Sequence, residues 1–177
     1  MATTATSKAK KATRAKSPAT NKASKTDAVS LLEAQHKEVA GWFEEFEKTE
    51  SDKKKADLVD KIMLALKAHT QIEEEIFYPE ARRATGDEDL LDEAVVEHQA
   101  AKQLMAEIES MTVGDDLFDA KVKVLSEQIE HHVEEEEDEL FPECRKSDMD
   151  LEALGAQMSA RFKELSAQLS AQTPARH

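Results

Sequence analysis

A chain of 177 residues, 35% charged and 40% hydrophobic, has the length of one domain with a tail to spare. It has only four Gly and four Pro and is rich in Ala, Leu, Glu and Lys, a composition that favours helix. No apolar run approaches the ~18–20 residues of a membrane span and none has the form of a signal-peptide core, so a soluble, cytoplasmic protein without membrane contact is expected.

Residues 1–26 come first and stand apart. They hold seven Lys or Arg (Lys8, Lys10, Lys11, Arg14, Lys16, Lys22, Lys25) and no acid, although the chain as a whole carries −14. The segment is otherwise Ala, Thr and Ser with little to bury, so it reads as a disordered basic tail. Its charges suit phosphates of a nucleic acid or this protein's own acidic remainder; the strongly acidic body argues against nucleic acid as the main ligand.

Thr26-Asp27 then offers a helix N-cap, followed by Leu32, His36, Val39, Phe43 and Phe46 in steps of three and four. Asp52 or a neighbour caps a second helix with the stripe Ile62, Leu66, His69, Glu73 and Ile76. After the break at Thr85-Gly86-Asp87 comes Leu91, Val95, His98, Ala101, Met105 and Ile108. After Gly114-Asp115-Asp116 comes Phe118, Val122, Leu125, Ile129, His132 and Glu136. No strand pattern appears. Four such helices with short connections predict an all-α, up-down-up-down four-helix bundle over residues 27–145. A fifth stripe, Leu151, Leu154, Met158, Phe162, Leu165 and Leu169, predicts a C-terminal helix over 146–170, before a short tail at 171–177. That helix either packs over the bundle, the favoured reading, or mediates self-association; the oligomeric state is left open.

The second and fourth helices share a motif. Residues 69–79 read HTQIEEEIFYP and residues 132–142 read HVEEEEDELFP, each with His four residues before Glu and ten before Pro. His36 precedes His69 by 33 residues and His98 precedes His132 by 34, so the chain carries an internal repeat of two helices. Positions i and i+4 share one helix face, which places His132 and Glu136 together on the apolar stripe. His131 is turned away by about 100°, and most of the acidic run around it is a solvated face. Four imidazoles and two carboxylates thus point at one region of a bundle interior. Left unsatisfied at about 1–3 kcal/mol each, they would offset most of a domain's typical stability of ~5–15 kcal/mol. No Lys or Arg lies on these stripes to pair with the acids, so metal coordination is the expected resolution. The count suits two ions, His36 and His69 on one, His98 and His132 on the other, with Glu73 and Glu136 able to bridge. Nitrogen and oxygen ligation without thiolate suits iron, and also manganese or zinc. Cys144 is the only cysteine; it reads as an incidental thiol near a helix end, and no internal disulfide or thiolate cluster is possible.

His36, HTQIE (His69 to Glu73), EHQ around His98 and HHVEEEEDELFP together resemble the hemerythrin-like, HHE cation-binding domain over about residues 28–142. The resemblance implies a non-haem di-iron site in a four-helix bundle, with a bridging oxo or hydroxo group and the ligands His36, His69, Glu73, His98, His132 and Glu136. One position departs from it. Oxygen-carrying hemerythrins have a further histidine four residues after the third-helix ligand, where this chain has Lys102, so one ion has one imidazole fewer and reversible oxygen transport is disfavoured. A water, a further carboxylate or Lys102 would then complete the shell; Glu33 and Glu97 are the nearby acids to check, each expected at the surface. The ferritin-like pattern, Glu-x-x-His on two helices, is met only once, at Glu33–His36, and no nucleophile motif or phosphate loop is present. The expected function is a metal-binding protein that binds or senses iron, oxygen or nitric oxide, with a diatomic molecule or peroxide as ligand and no assigned catalytic residue. The alternatives are a di-iron oxidoreductase acting on peroxide or nitric oxide, and a metal-sensing regulator that binds nucleic acid through residues 1–26.

Overall fold

The computed structural model describes residues 26–172, so the basic tail before Thr26 and the final residues 173–177 lie outside the described part. Helix α1 spans Ala28–Lys48 and starts where the Asp27 carboxylate accepts the Ser30 N–H at 2.9 Å. Helix α2, Asp52–Ile72, is capped by the Ser51 hydroxyl. It runs through a π-helical turn, Glu73–Phe77, into α3, Tyr78–Thr85. Gly86 ends that rod in the left-handed region (φ 72°), and the Asp87 carboxylate caps α4, Glu88–Glu109. Helix α5, Phe118–Glu135, follows Leu117, which also has positive φ. A second π-helical turn, Glu136–Leu140, leads into α6, Phe141–Lys146, and α7 spans Leu151–Gln172.

The rods α2–α3 and α5–α6, with α1 and α4, form the four-helix bundle. Neighbouring pairs are α1–α2, α2–α4, α4–α5 and α5–α1. The fifth helix, α7, packs over the bundle against α1 and α2, burying Leu154, Met158 and Leu165. Gly155 makes that approach possible, since a Cβ there would lie 2.4 Å from the Thr26 carbonyl oxygen.

The π-turns were not foreseen from the stripes. Each precedes a proline, Pro79 or Pro142, which has no N–H to donate and whose ring would strike the carbonyl one turn back in an α-helix. The wider turn removes that clash: the Tyr78 N–H bonds to the Glu73 carbonyl and the Phe141 N–H to the Glu136 carbonyl, five residues back. One extra residue per turn rotates everything downstream by about 100°. The straight-helix stripe assigns Ile76 to the inner face, but Ile76 is only half-buried, while Phe77, Tyr78, Leu140 and Phe141 are buried.

The apolar core falls into two clusters, one around Leu32, Phe77, Leu91, Phe141 and Met158, the other around Phe43, Ile62, Met105, Ile108 and Leu125. Between them, one layer of the bundle is polar.

Candidate metal centre

All six residues expected from spacing lie in that layer, and all six are buried: His36 on α1, His69 at the end of α2, His98 on α4, His132 at the end of α5, and Glu73 and Glu136 at the first position of each π-turn. Glu73 has no exposure to solvent. The Nε2 atoms of His36 and His69 are 3.1 Å apart, and those of His98 and His132 are 3.0 Å apart. Glu73 lies between the pairs, with Oε1 3.2 Å from His69 Nε2 and Oε2 3.4 Å from His98 Nε2. Glu136 Oε2 also faces both, at 3.4 Å from His36 Nε2 and 3.6 Å from His132 Nε2. Two pockets of ligand atoms result, His36–His69–Glu73–Glu136 and Glu73–His98–His132, with Glu73 common to both.

The outer ring nitrogens are each held by an oxygen. His36 Nδ1 meets Glu137 at 2.9 Å, His69 Nδ1 meets Gln35 at 2.7 Å, His98 Nδ1 meets Glu74 at 2.9 Å and His132 Nδ1 meets Glu97 at 2.8 Å. Such partners keep the proton on Nδ1 and turn the Nε2 lone pair inward, the arrangement that metal-ligating histidines use. The inward atoms then lack donors: Glu73 Oε1, Glu73 Oε2 and Glu136 Oε2 are buried with no hydrogen bond. Desolvation of this kind costs several kcal/mol per ion unless a positive charge is present. The gaps between facing donors, 3.0–3.6 Å, match the donor–donor edges of ~3.0–3.5 Å around ions with bonds of ~2.1 Å. The residues fit a pair of cations.

The electrostatics agree. Burial works against a charge on His36, but Glu136, Glu73 and Glu137 outweigh it and raise its pKa to about 9. Burial likewise opposes charge on His98, and Glu73 and Glu74 raise it nonetheless. Burial would raise Glu73, yet His69 and His98 hold it well below the usual carboxylate range. In the metal-free protein, protons on imidazole supply part of the positive charge that the layer requires, and a bound cation displaces them.

Several contributors were not legible from spacing. The Tyr78 hydroxyl donates to Glu136 Oε1 at 2.9 Å and lies 3.2 Å from His98 Nε2. Burial, then Glu136 and Glu73, push its pKa well above 10, so it remains a donor. Only the π-turn brings Tyr78 inward, which is why a straight-helix reading missed it. Gln35, Glu74, Glu97 and Glu137 each neighbour an inward residue in sequence, a signal that could have found them. Glu97 was expected at the surface; it is half-buried and holds His132. Glu33 does lie at the surface and faces Arg145. Lys102, where the carriers have histidine, points away from the layer and holds both oxygens of Glu74 at 2.6 and 2.7 Å. It secures the carboxylate that orients His98. Cys144 is buried in the apolar cluster beyond the layer.

An open groove of about 750 Å³ runs between α1 and α5. Its floor includes Ala40, Phe43, Ile129 and Val133, its rim carries Glu33, Glu44, Glu47, Glu127, Glu130, Glu134 and Glu137 with Lys37, and His36 lies along it. His36, Ile129 and Val133 also line a cavity of about 20 Å³ beside His69, His98 and His132.

Residues 27–144 match the family model of the hemerythrin HHE cation binding domain. The crystal structure of a hemerythrin HHE cation binding domain-containing protein from Mycobacterium kansasii superposes with a TM-score of 0.71 at 22% identity, covering 85% of this chain and 94% of that one. A DNA nickase of Nostoc sp. (strain PCC 7120) is 27% identical over 117 residues, 66% of this chain but 33% of that protein, so this chain spans a third of that relative's length. The matched segment contains all six inward residues and all of the bundle but the last two residues of α6, and the chain belongs to the hemerythrin HHE cation-binding domain family.

Proposed function

We propose that this protein holds two iron ions on His36, His69, Glu73, His98, His132 and Glu136, and that it binds or senses a small molecule, oxygen, nitric oxide or peroxide, at that centre. The observation that carries the reading is the set of three buried carboxylate oxygens with no donor, aimed among four inward imidazole nitrogens. Iron supplies redox activity and coordination positions for a diatomic ligand. The chain supplies the rest. Glu137, Gln35, Glu74 and Glu97 fix the imidazoles, Tyr78 holds one oxygen of Glu136, and apolar layers on both sides keep out water. The small cavity against all four histidines, about 20 Å³, has room for roughly one water-sized molecule.

Elemental analysis of protein from iron-replete cells tests this, with about two irons per chain expected. His69→Ala and Glu136→Ala lose most of that iron, and His131→Ala keeps it. A folded protein without metal that also refuses added iron would sink the proposal. Optical changes on adding nitric oxide or azide, with the ligand recovered intact, support binding or sensing; peroxide breakdown well above that of free iron would make the protein an oxidoreductase.

A second reading, a regulator that touches nucleic acid through residues 1–26, draws on the seven cations of that segment and on the similarity to a protein named as a DNA nickase. Salt-dependent DNA binding by the full chain, lost when residues 1–26 are removed, would favour it.

A further inference from the structure

The inward ligands have outward twins. His132 and Glu136 are preceded by His131 and Glu135, which repeat the His-x-x-x-Glu spacing one residue earlier, and His98 is preceded by Glu97. On a helix, a one-residue offset turns a side chain by about 100°, so the twin set lies at the edge of the bundle, with His131 exposed and Glu97 and Glu135 half-buried, where the first set faces the core. The structure brings the twins together across α4 and α5. His131 Nε2 is 3.4 Å from Glu135 Oε1 and 3.7 Å from Glu97 Oε1. One ligand atom from each of the three lies within 4.8 Å of the others. We propose that Glu97, His131 and Glu135 form a separate surface site for a divalent transition-metal cation, distinct from the buried centre and linked to it through Glu97.

Three observations carry the site. The gaps of 3.4 and 3.7 Å are long for hydrogen bonds, yet they match the edge of ~3.4 Å expected between ligands of a four-coordinate ion with bonds of ~2.1 Å. The ligand set is mixed, one imidazole and two carboxylates, which suits zinc, manganese or ferrous iron better than calcium or magnesium. Glu97 and Glu135 are about three-quarters buried at the side chain, so two of the three ligands are partly fixed before a cation arrives, while His131 is open to solvent at 63% and gives access.

Glu97 makes the site more than a surface trap. Its Oε2 holds His132 Nδ1 at 2.8 Å and its Oε1 faces the outer site. A cation on Oε1 draws electron density from the carboxylate and weakens its hold on the His132 proton. The imidazole becomes a poorer donor on its inward nitrogen, so the outer cation tunes the buried centre, as partners of metal-bound histidine do. By linkage, the metal held at the buried centre changes the outer affinity by the same factor, so the outer event is compared between chains of equal iron content.

The test is zinc titration by calorimetry on the full chain as purified, with the iron content measured before and after. One zinc per chain is expected beyond any uptake by the buried layer. His131→Ala and Glu135→Gln each weaken that event at least tenfold, while Glu134→Gln, an exposed acid of the same run, leaves it unchanged. Where iron is present, zinc also shifts its visible bands in the parent chain and not in His131→Ala. Zinc uptake that is equal in the parent, His131→Ala and Glu135→Gln chains overturns the site. If the zinc event is lost in both variants but no band shifts, the site stands and its link through Glu97 is overturned. If no iron is present, the calorimetric comparison decides the outer site alone, so the two proposals fail separately. His131 is exposed and its removal leaves the core untouched, so loss of binding is not loss of fold.

Discussion

Tyr78 shows what one hydroxyl does in a buried polar layer. It is the only donor to Glu136 Oε1 among the described hydrogen bonds. Tyr78→Phe keeps the ring and leaves that oxygen bare, which costs about 1.5–3 kcal/mol for a bond to a charged group. The expected outcome is a lower denaturant midpoint with metal content unchanged, since the six inward ligands remain. An unchanged midpoint would show that the hydroxyl does not serve the carboxylate. Cys144 is the opposite case, a group with chemistry that its surroundings suppress. Burial first, then Glu136 and Glu143, push its thiol up to about 12. A raised thiol pKa stabilises the fold fully below the unfolded value near 9 and loses that contribution as pH rises towards 12. Iodoacetamide at pH 8.5 should therefore modify Cys144 only after the protein is unfolded; rapid labelling of the native chain would refute its burial. At this scale the sequence was informative where helical period alone decides direction. His36, His69, Glu73, His98, His132 and Glu136 all precede or begin the π-turns, so their phase survives. Tyr78 lies beyond one and could not be placed by period.

Among the elements, the two π-turns matter most, because they let one helix serve two registers. Before the turn, α5 presents His132; after it, α6 presents Phe141, which stacks on the His36 ring at 5.8 Å and 9°. Inserting one alanine after the exposed Asp138 adds a register step that the π-turn does not absorb, and turns Leu140, Phe141 and Cys144 out of the core by about 100°. Losing two large buried side chains costs several kcal/mol by the usual scale of core deletions, visible as a collapse of the denaturation midpoint. Asp138→Ala, which keeps the register, should lie within about 0.5 kcal/mol of the parent. The helices themselves were legible: the cap at Asp27, the break at Thr85-Gly86-Asp87 and the fifth stripe all stand where composition and spacing put them. Pro79 and Pro142 are the signal the sequence holds for the π-turns, and their equal spacing from His69 and His132 marks the repeat without stating a change of pitch.

For the molecule as a whole, the bundle follows from period and loop length, whereas the position of α7 does not. An amphipathic stripe states that a face will be covered and is silent on what covers it. Here α1 and α2 do so, and Gly155, which no stripe identifies as special, sets how close the two come. Family and fold were within reach of the sequence because the layer of six spans all four helices, so each piece constrains the others.

The groove between α1 and α5 has a consequence for which molecules reach its floor. Seven carboxylates and one ammonium border it, on a chain whose net charge is −14. An anion that travels this way moves against the field, whereas a neutral gas does not feel it. Ionic strength sorts the two, since salt shortens the reach of the field to ~8–10 Å at 0.1–0.15 M. In stopped-flow mixing, azide should bind faster as salt rises from low concentration, while the rate for nitric oxide stays level; equal salt dependence for both would mean that ligands arrive by another path. The rim of acids then acts as a filter by charge, admitting uncharged molecules in the presence of a large excess of anions.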